Sequence, residues 1–511
     1  MTISTSQRTR WLTALVLVIA VWLAFWPALN NDFVNYDDGN YIVNNTNIQQ
    51  GVNWSSLKWA FTSNEWSNWH PLTWISHMID WQLFGRNPAG HHAVNIALHS
   101  LNAVLLLFGL ASLTGAWWRS ALVAFLFALH PLRVESVAWV AERKDLLSAC
   151  FGLLAIGCYI RYARALSWRW YVGTLVLTAC SLMAKPTLVT MPCILLLLDF
   201  WPLGRMKAAW INAQQSAANR PASREGFTRI VLEKLPLMVL AAISSKLTIW
   251  AQVAGHSVVS EQVLTMNLRI ENAVVSYAVY LWQMIWPNHL AVLYLHPTSW
   301  SASMVTVCSC VLFLISGIVM LSRKPSIIVS WFWYLGTLVP VIGIVQVGAQ
   351  AHADRYTYIP MIGVLVAIIW LIPEMMFHRP LAAFLASLSV ALCITLGALT
   401  WIQTRHWRSS IALWQHTLQV TTEDNAIAQV CLAAAMVRNG SDPALADAHA
   451  RKALQLDARY VADHDIYDSS LIQQERYADA IAFLELVIQQ LPESAHVHGR
   501  LGELYYKTKN L

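Results

Sequence analysis

The chain has 511 residues, 57% of them apolar and only 12% charged, with a mean hydropathy of +0.45. That balance excludes a soluble globule, which would expose large apolar patches, and a disordered chain, which has the opposite bias. The net charge of +6 is modest and no run of Lys and Arg makes a nucleic-acid patch, which leaves a polytopic membrane protein.

Arg8 and Arg10 precede an apolar run from Trp11 to Leu29. A signal peptide has a shorter core followed by a small-residue cleavage pattern, so this run reads as an uncleaved first spanning helix. Further apolar runs lie near 93–112, 117–131, 146–160, 170–184, 187–203, 231–252, 303–321, 328–347, 357–373 and 381–401. With the first they predict an all-α bundle of about eleven transmembrane helices. The stretch 271–286 reads as interfacial, because a twelfth crossing there would put Arg323 and Lys324 outside. The positive-inside bias also places the N-terminus, Arg119, Arg161 to Arg169, Arg205 to Lys234, and His378-Arg379 inside. The 30–90 loop, 132–145, Lys185, 253–302, 348–356 and the C-terminal tail then lie outside. The 26 Trp suit membrane interfaces, and the eight Cys, with no metal-ligand spacing in a polar loop, read as buried thiols.

The composition changes after Trp401. The reading is a membrane domain over 1–405 and a polar, Ala-rich α-solenoid over 406–511. Ala446, Ala450 and Ala453 recur 34 residues later as Ala480, Leu484 and Val487. That period is similar to tetratricopeptide repeats, about two and a half units, of the kind that bind peptides or proteins.

The first outside loop opens on Asp37-Asp38, two carboxylates that repel unless solvent, a divalent metal or a shared proton offsets them. A solvated turn is the plain alternative, since Asp-Gly favours turns. His70 follows. His92, Asn95, His99 and Asn102 then share one helix face, as helix–helix hydrogen bonding requires, with a metal site of His91, His92 and His99 as the lesser reading. Glu142, Arg143, Lys144 and Asp145 lie in the second outside loop. Lys185 stands alone between two apolar runs, and Asp354-Arg355 is flanked by aromatics. Cations outside run against the charge bias and suit an anionic ligand, so Arg143, Lys144, Lys185 and Arg355 read as a phosphate cradle. A sugar on a polyprenyl phosphate fits these pieces. Transfer needs a base for the acceptor hydroxyl, cations for the leaving phosphate, and a groove for the lipid.

The strings YDDGNYIVNN (36–45), HPLTWISHMIDWQLFG (70–85), HHAVNIALHSLNAVLL (91–106), ALHPLRVESVAWVAERKDLLS (128–148), MAKPTLVTMPCILLLLDFWPLGR (183–205) and ADRYTYIPMIG (353–363) resemble the transmembrane and tetratricopeptide-repeat-containing O-mannosyltransferase group. The resemblance implies a C-type glycosyltransferase (GT-C) fold, a polyprenyl-phosphate sugar donor and a protein hydroxyl acceptor, and it makes the pair Asp37-Asp38 catalytic. The repeat array is much shorter than in eukaryotic members, which points to a bacterial relative with a periplasmic active site; a eukaryotic one would face the endoplasmic reticulum lumen. The sequence-based reading is an inverting membrane glycosyltransferase for mannose or a similar hexose. Asp37 or Asp38 is the base, and His70, Glu142, Arg143, Lys144, Asp145, Lys185, Asp354 and Arg355 bind substrate. The rivals are a transporter or flippase for a lipid-linked saccharide and a non-catalytic scaffold working through its repeats.

Overall fold

The computed structural model describes residues 5–206, 222–255, 264–373 and 381–508. The expected inside pair His378-Arg379 and the middle of the 205–234 segment lie outside these residues. Helix α1 (Thr5–Phe25) is followed by α2 (Thr46–Gln49), α3 (Trp54–Thr62) and α4 (Pro71–Phe84), so the 30–90 region is a compact helical cap and not an open loop. Then come α5 (Pro88–Thr114), α6 (Trp117–Leu129), α7 (Val134–Ala138), α8 (Arg143–Ala165), α9 (Trp168–Ala184) and α10 (Met191–Phe200). The membrane part continues with α11 (Ala222–Leu232), α12 (Leu235–Ala254), α13 (Met266–Ile285), α14 (Ala302–Leu321), α15 (Pro325–Leu338), α16 (Pro360–Leu371) and α17 (Leu381–Arg405). The only strands among the described residues, β1 (Tyr294–Leu295) and β2 (Gln350–His352), form one short antiparallel pair.

Local chemistry sets many of these boundaries. Proline occupies the first turn of α4, α5, α15 and α16, where its missing N–H costs nothing. Asn87 caps α5 by accepting from Ala89 N–H, and Gly115 ends it in the left-handed conformation. Gly363 lets α16 close on α15, since a Cβ there would strike the Ser330 carbonyl. α1 buries Ala14, Leu17 and Val21 against its neighbours while Trp11, Leu15, Ile19 and Leu23 stay exposed. An apolar outer face of this kind suits contact with lipid.

Five helical segments are long and apolar enough to cross a membrane: Gln7–Asn30, Pro88–Thr114, Val140–Ala165, Ala302–Leu321 and Leu381–Arg405. α6 and the segment Pro131–Ala138 make a sixth only if their 62° bend lies within one span. The other expected spans are shorter, broken or less apolar, so helix length alone does not give eleven. α16, with 12 residues, reaches only about 18 Å against a hydrocarbon core of about 30 Å. The stretch expected to lie in the interface is part of α13, which buries Arg269 and Asn272 and is not among the five.

The polar face of α5 is spent on its neighbours. Asn95 Nδ2 donates to the carbonyls of Val137 and Trp139, both at 3.2 Å. His99 contacts the Ala128 carbonyl at 3.0 Å and the Tyr358 hydroxyl at 2.7 Å. Asn102 donates to the Leu146 carbonyl at 2.9 Å. This is the helix–helix reading. Among the described residues no three His, Cys, Asp or Glu converge as metal ligands, and the His91, His92, His99 alternative falls with that. Elsewhere a buried network ties α8, α10 and α12 together: Lys234 and Arg205 clasp Asp199 at 2.7 and 3.0 Å, with the Tyr159 hydroxyl donating to the same carboxylate.

The tail is helical throughout its described length: α18 (Ser410–Val420), α19 (Ala426–Arg438), α20 (Pro443–Leu456), α21 (Ala458–His464), α22 (Ile466–Gln473), α23 (Tyr477–Gln490) and α24 (Ala495–Thr508). Ala446, Ala450 and Ala453 of α20 are fully buried, as are Ala480, Leu484 and Val487 of α23 to within a few per cent. The 34-residue sequence period is therefore a packing period. Small residues recur where helices approach closely.

Candidate active site

α1 passes through a short 3-10 turn, Trp26–Asn30, into the stretch carrying the two aspartates. Asp38 is almost wholly buried. Its Oδ2 accepts from Val34 N–H at 3.0 Å and its Oδ1 from Ala141 N–H at 2.8 Å. Asp38 therefore pins the turn to the segment just before α8. Burial pushes its pKa up to about 7, against the lowering effect of those two backbone hydrogen bonds. The Asp37 side chain keeps about a third of its exposure (36%) and lies 4.0 Å from Lys144 Nζ. Its partial burial raises its pKa above the ordinary carboxylate value, while Lys144 pulls it back down.

The cations gather on one carboxylate. Glu142 takes Lys144 at 3.1 Å, Lys185 at 2.9 Å and Arg355 at 3.5 Å. Lys185 also bonds Asp145 at 2.8 Å, and Arg355 is held by Glu135 through both its backbone N–H and its guanidinium. The Lys144 ammonium sits 4.8 Å from the Tyr41 ring centroid, and Trp139 lies beside both Lys144 and Arg355. These residues come from the first turn of α8, the turn after α9, and the turn before α16. Folding alone brings them together.

Glu142, Lys144, Lys185 and Arg355 line a cavity of about 530 Å³, together with His70, Gln346 and Gln350. The Nε2 of buried His70 has no hydrogen-bond partner. The cavity wall also includes Ile249, Val339, Ile344 and Val345. Those four side chains are exposed, so the cavity presents apolar surface beside its charged wall. The result is an amphiphilic site, with buried cations and amides meeting exposed apolar side chains.

Five expected site residues are off the cavity wall: Asp37 and Asp145 stay beside it through Lys144 and Lys185, Asp38 is turned to backbone N–H groups, and Arg143 and Asp354 are placed elsewhere. Arg143 is fully buried and spent on Asp80 at 2.5 Å, on Asn95 Oδ1 and on the His91 carbonyl. It does not line the cavity. Asp354 accepts from the Tyr294 hydroxyl at 3.1 Å and is likewise off the wall. Gln346, Gln350 and Trp139 were not singled out from the sequence. The two glutamines had one signal: they interrupt an apolar run shortly before Arg355.

The fold and site define a class: a multi-pass, all-helical membrane protein with a buried charge cluster at an amphiphilic cavity and a helical repeat tail. A family model described as "Tetratricopeptide repeat" matches residues 471–511. Over part of its length the chain is similar to proteins named protein O-mannosyl-transferase. It is 28% identical over 195 residues to TMTC2 of Mus musculus, covering 35% of this chain and 23% of that one. It is 28% identical over 251 residues to TMTC1 of Homo sapiens, covering 42% and 27%, and 36% identical over 176 residues to TMTC4 of Homo sapiens, covering 30% and 23%. The matched part thus spans about a quarter of the length of these curated relatives. No solved structure matches the chain.

Proposed function

We propose that the chain is an integral membrane glycosyltransferase that moves a hexose, mannose by the names of its relatives, from a polyprenyl-phosphate donor to a hydroxyl of an acceptor protein. The observation that carries this reading is the amphiphilic cavity, in which three cations share one carboxylate beside exposed apolar side chains. A lipid phosphate needs both halves. The reaction site faces the non-cytoplasmic side, with the repeats on that same face.

Asp37 is the base. It is the aspartate of the pair with both oxygens uncommitted to backbone N–H groups and with a cavity cation beside it. The acceptor oxygen attacks the anomeric carbon as its proton passes to Asp37. The bond from that carbon to the phosphate oxygen breaks, its electron pair stays on the phosphate, and configuration inverts. Lys144, Lys185 and Arg355 stabilise the polyprenyl phosphate that leaves. Glu142 and Asp145 hold these cations in place while the site is empty, and His70 offers its free Nε2 to the sugar or phosphate. A divalent metal is not required by this scheme; Asp38 has both oxygens engaged and leaves Asp37 as the accessible oxygen ligand of the pair.

The test is transfer from a radiolabelled polyprenyl-phosphate mannose to peptide acceptors by the purified, reconstituted full-length chain. Asp37→Asn is expected to lower turnover by about 10²- to 10⁴-fold, the usual contribution of a general base. Turnover unaffected by this substitution would remove Asp37 from the mechanism.

A further inference from the structure

The stretch that carries Asp37 is gripped from the repeat side. The Asn35 backbone N–H donates to Ser410 Oγ at 2.9 Å. Its side-chain amide donates to the Cys431 carbonyl at 2.9 Å, and its Oδ1 accepts from Trp414 Nε1 at 2.8 Å. One residue, two positions ahead of Asp37, thus makes three hydrogen bonds to α18 and α19. A fourth runs from Asp32 N–H to the Arg408 carbonyl at 3.0 Å. Next in line, Tyr36 is stacked on Trp139 at 4.9 Å and meets Trp414 edge-on at 5.3 Å. Trp139 in turn lies beside the Arg355 guanidinium and the Lys144 ammonium. A continuous row of rings therefore links the repeat helix to the cavity cations, with the Asp37 stretch in the middle.

A module that only captured partners would need no such contacts. Trp414 is fully buried, although its helix belongs to the tail. Its indole N–H is committed to the active-site stretch and not to the repeat array. The opposite side of the same stretch is fixed by Asp38, through Val34 and Ala141. Asp37 is thus held between two anchors, one from the membrane helices and one from the tail.

We propose that α18 and α19 are a working part of the active site, with Asn35, Trp414 and Ser410 as positioning residues that set Asp37 against the cavity cations. This rests on the reading of Asp37 as the base. The geometry of a proton acceptor must hold to a fraction of an ångström, and a misplacement of about 1 Å can cost about 10²-fold in rate. The tail then contributes to the chemical step itself.

The experiment uses the full-length chain in proteoliposomes with labelled polyprenyl-phosphate mannose and a peptide acceptor. Trp414→Phe keeps one aromatic ring near Tyr36 and removes the N–H donor together with the second ring of the indole. Asn35→Ala removes both side-chain bonds. Each is expected to lower kcat by about 10- to 100-fold, leave donor KM within about twofold, and move the acid limb of the kcat–pH profile. Ser410→Ala is expected to lower kcat and Ser410→Thr, which keeps an acceptor oxygen, to restore it. Arg500→Ala, in the distal repeat, is expected to leave kcat unchanged. A merely structural role would reduce the melting temperature and the active fraction without shifting the pH limb, and that result overturns the proposal. Unchanged kcat in Trp414→Phe and Asn35→Ala, with Asp37→Asn inactive, overturns it while sparing the assigned base. Full turnover in Asp37→Asn overturns both.

Discussion

Each oxygen of Asp38 faces a backbone N–H, and this decides what a substitution there does. Asp38→Asn turns one acceptor into an N–H aimed at another N–H. The expected cost is about 1–3 kcal/mol of stability, the price of a buried polar group left unpaired, read as a lower melting temperature of the purified protein. Asp37→Asn, at a partly exposed side chain without such bonds, is expected to leave melting unchanged while turnover falls. Ionisation separates the pair further. The Asp38 pKa is raised from an ordinary 3.8 to about 7, so the folded state favours its protonated form. The stability this contributes is full below about pH 4 and is lost as pH rises through about 7. Melting temperatures across that window should fall with a steeper slope in the wild type than in Asp38→Asn. Asp37 works in the opposite sense for catalysis, because a base must be ionised. Its raised pKa predicts that kcat falls as pH drops, with a midpoint above the ordinary 3.8, and Lys144→Gln should move that midpoint higher.

At the scale of elements, the start of α8, with Glu142 just before it, gathers four charged residues with unlike tasks. Arg143 turns to Asp80 and Asn95 and locks α4 and α5 to α8, while Glu142, Lys144 and Asp145 join the cavity cluster. Neighbours in sequence on a helix point about 100° apart, so a run of charges splits between two surroundings. The repeat helices follow a simpler rule. Ala480 of α23 is fully buried, at the position equivalent to Ala446 of α20. Ala480→Leu is expected to overpack this contact and cost about 1–3 kcal/mol, seen as earlier unfolding of the tail in limited proteolysis. The loss of turnover should be small if α18 and α19 stay docked, since Ala480 lies beyond them.

For the whole molecule, orientation decides which substrates reach the cavity. The proposed orientation, with the repeats on the non-cytoplasmic face, predicts that a cysteine introduced as Glu493→Cys reacts with a membrane-impermeant maleimide in intact cells. Arg323→Cys should react only after permeabilisation. The reverse pattern would put the reaction site on the other side. Both positions are exposed, so access and not burial controls the labelling.

Residence in a bilayer, the helical class and the repeat tail were all legible in the amino-acid sequence. Each depends on composition or on a local period: apolar runs of helical length, and small residues 34 apart that pack as one face. The residue types of the site were legible too, since cations beside acids are rare in so apolar a chain. The sequence could not say which aspartate stays free, because Asp37 and Asp38 differ only in what the fold lays against them. Nor could it divert Arg143 to Asp80, add Lys185 and Arg355 to the Glu142–Lys144 pair, or bring Trp414 to Asn35. Those contacts join residues tens to hundreds of positions apart, where no local pattern carries the information and only tertiary packing selects the partner.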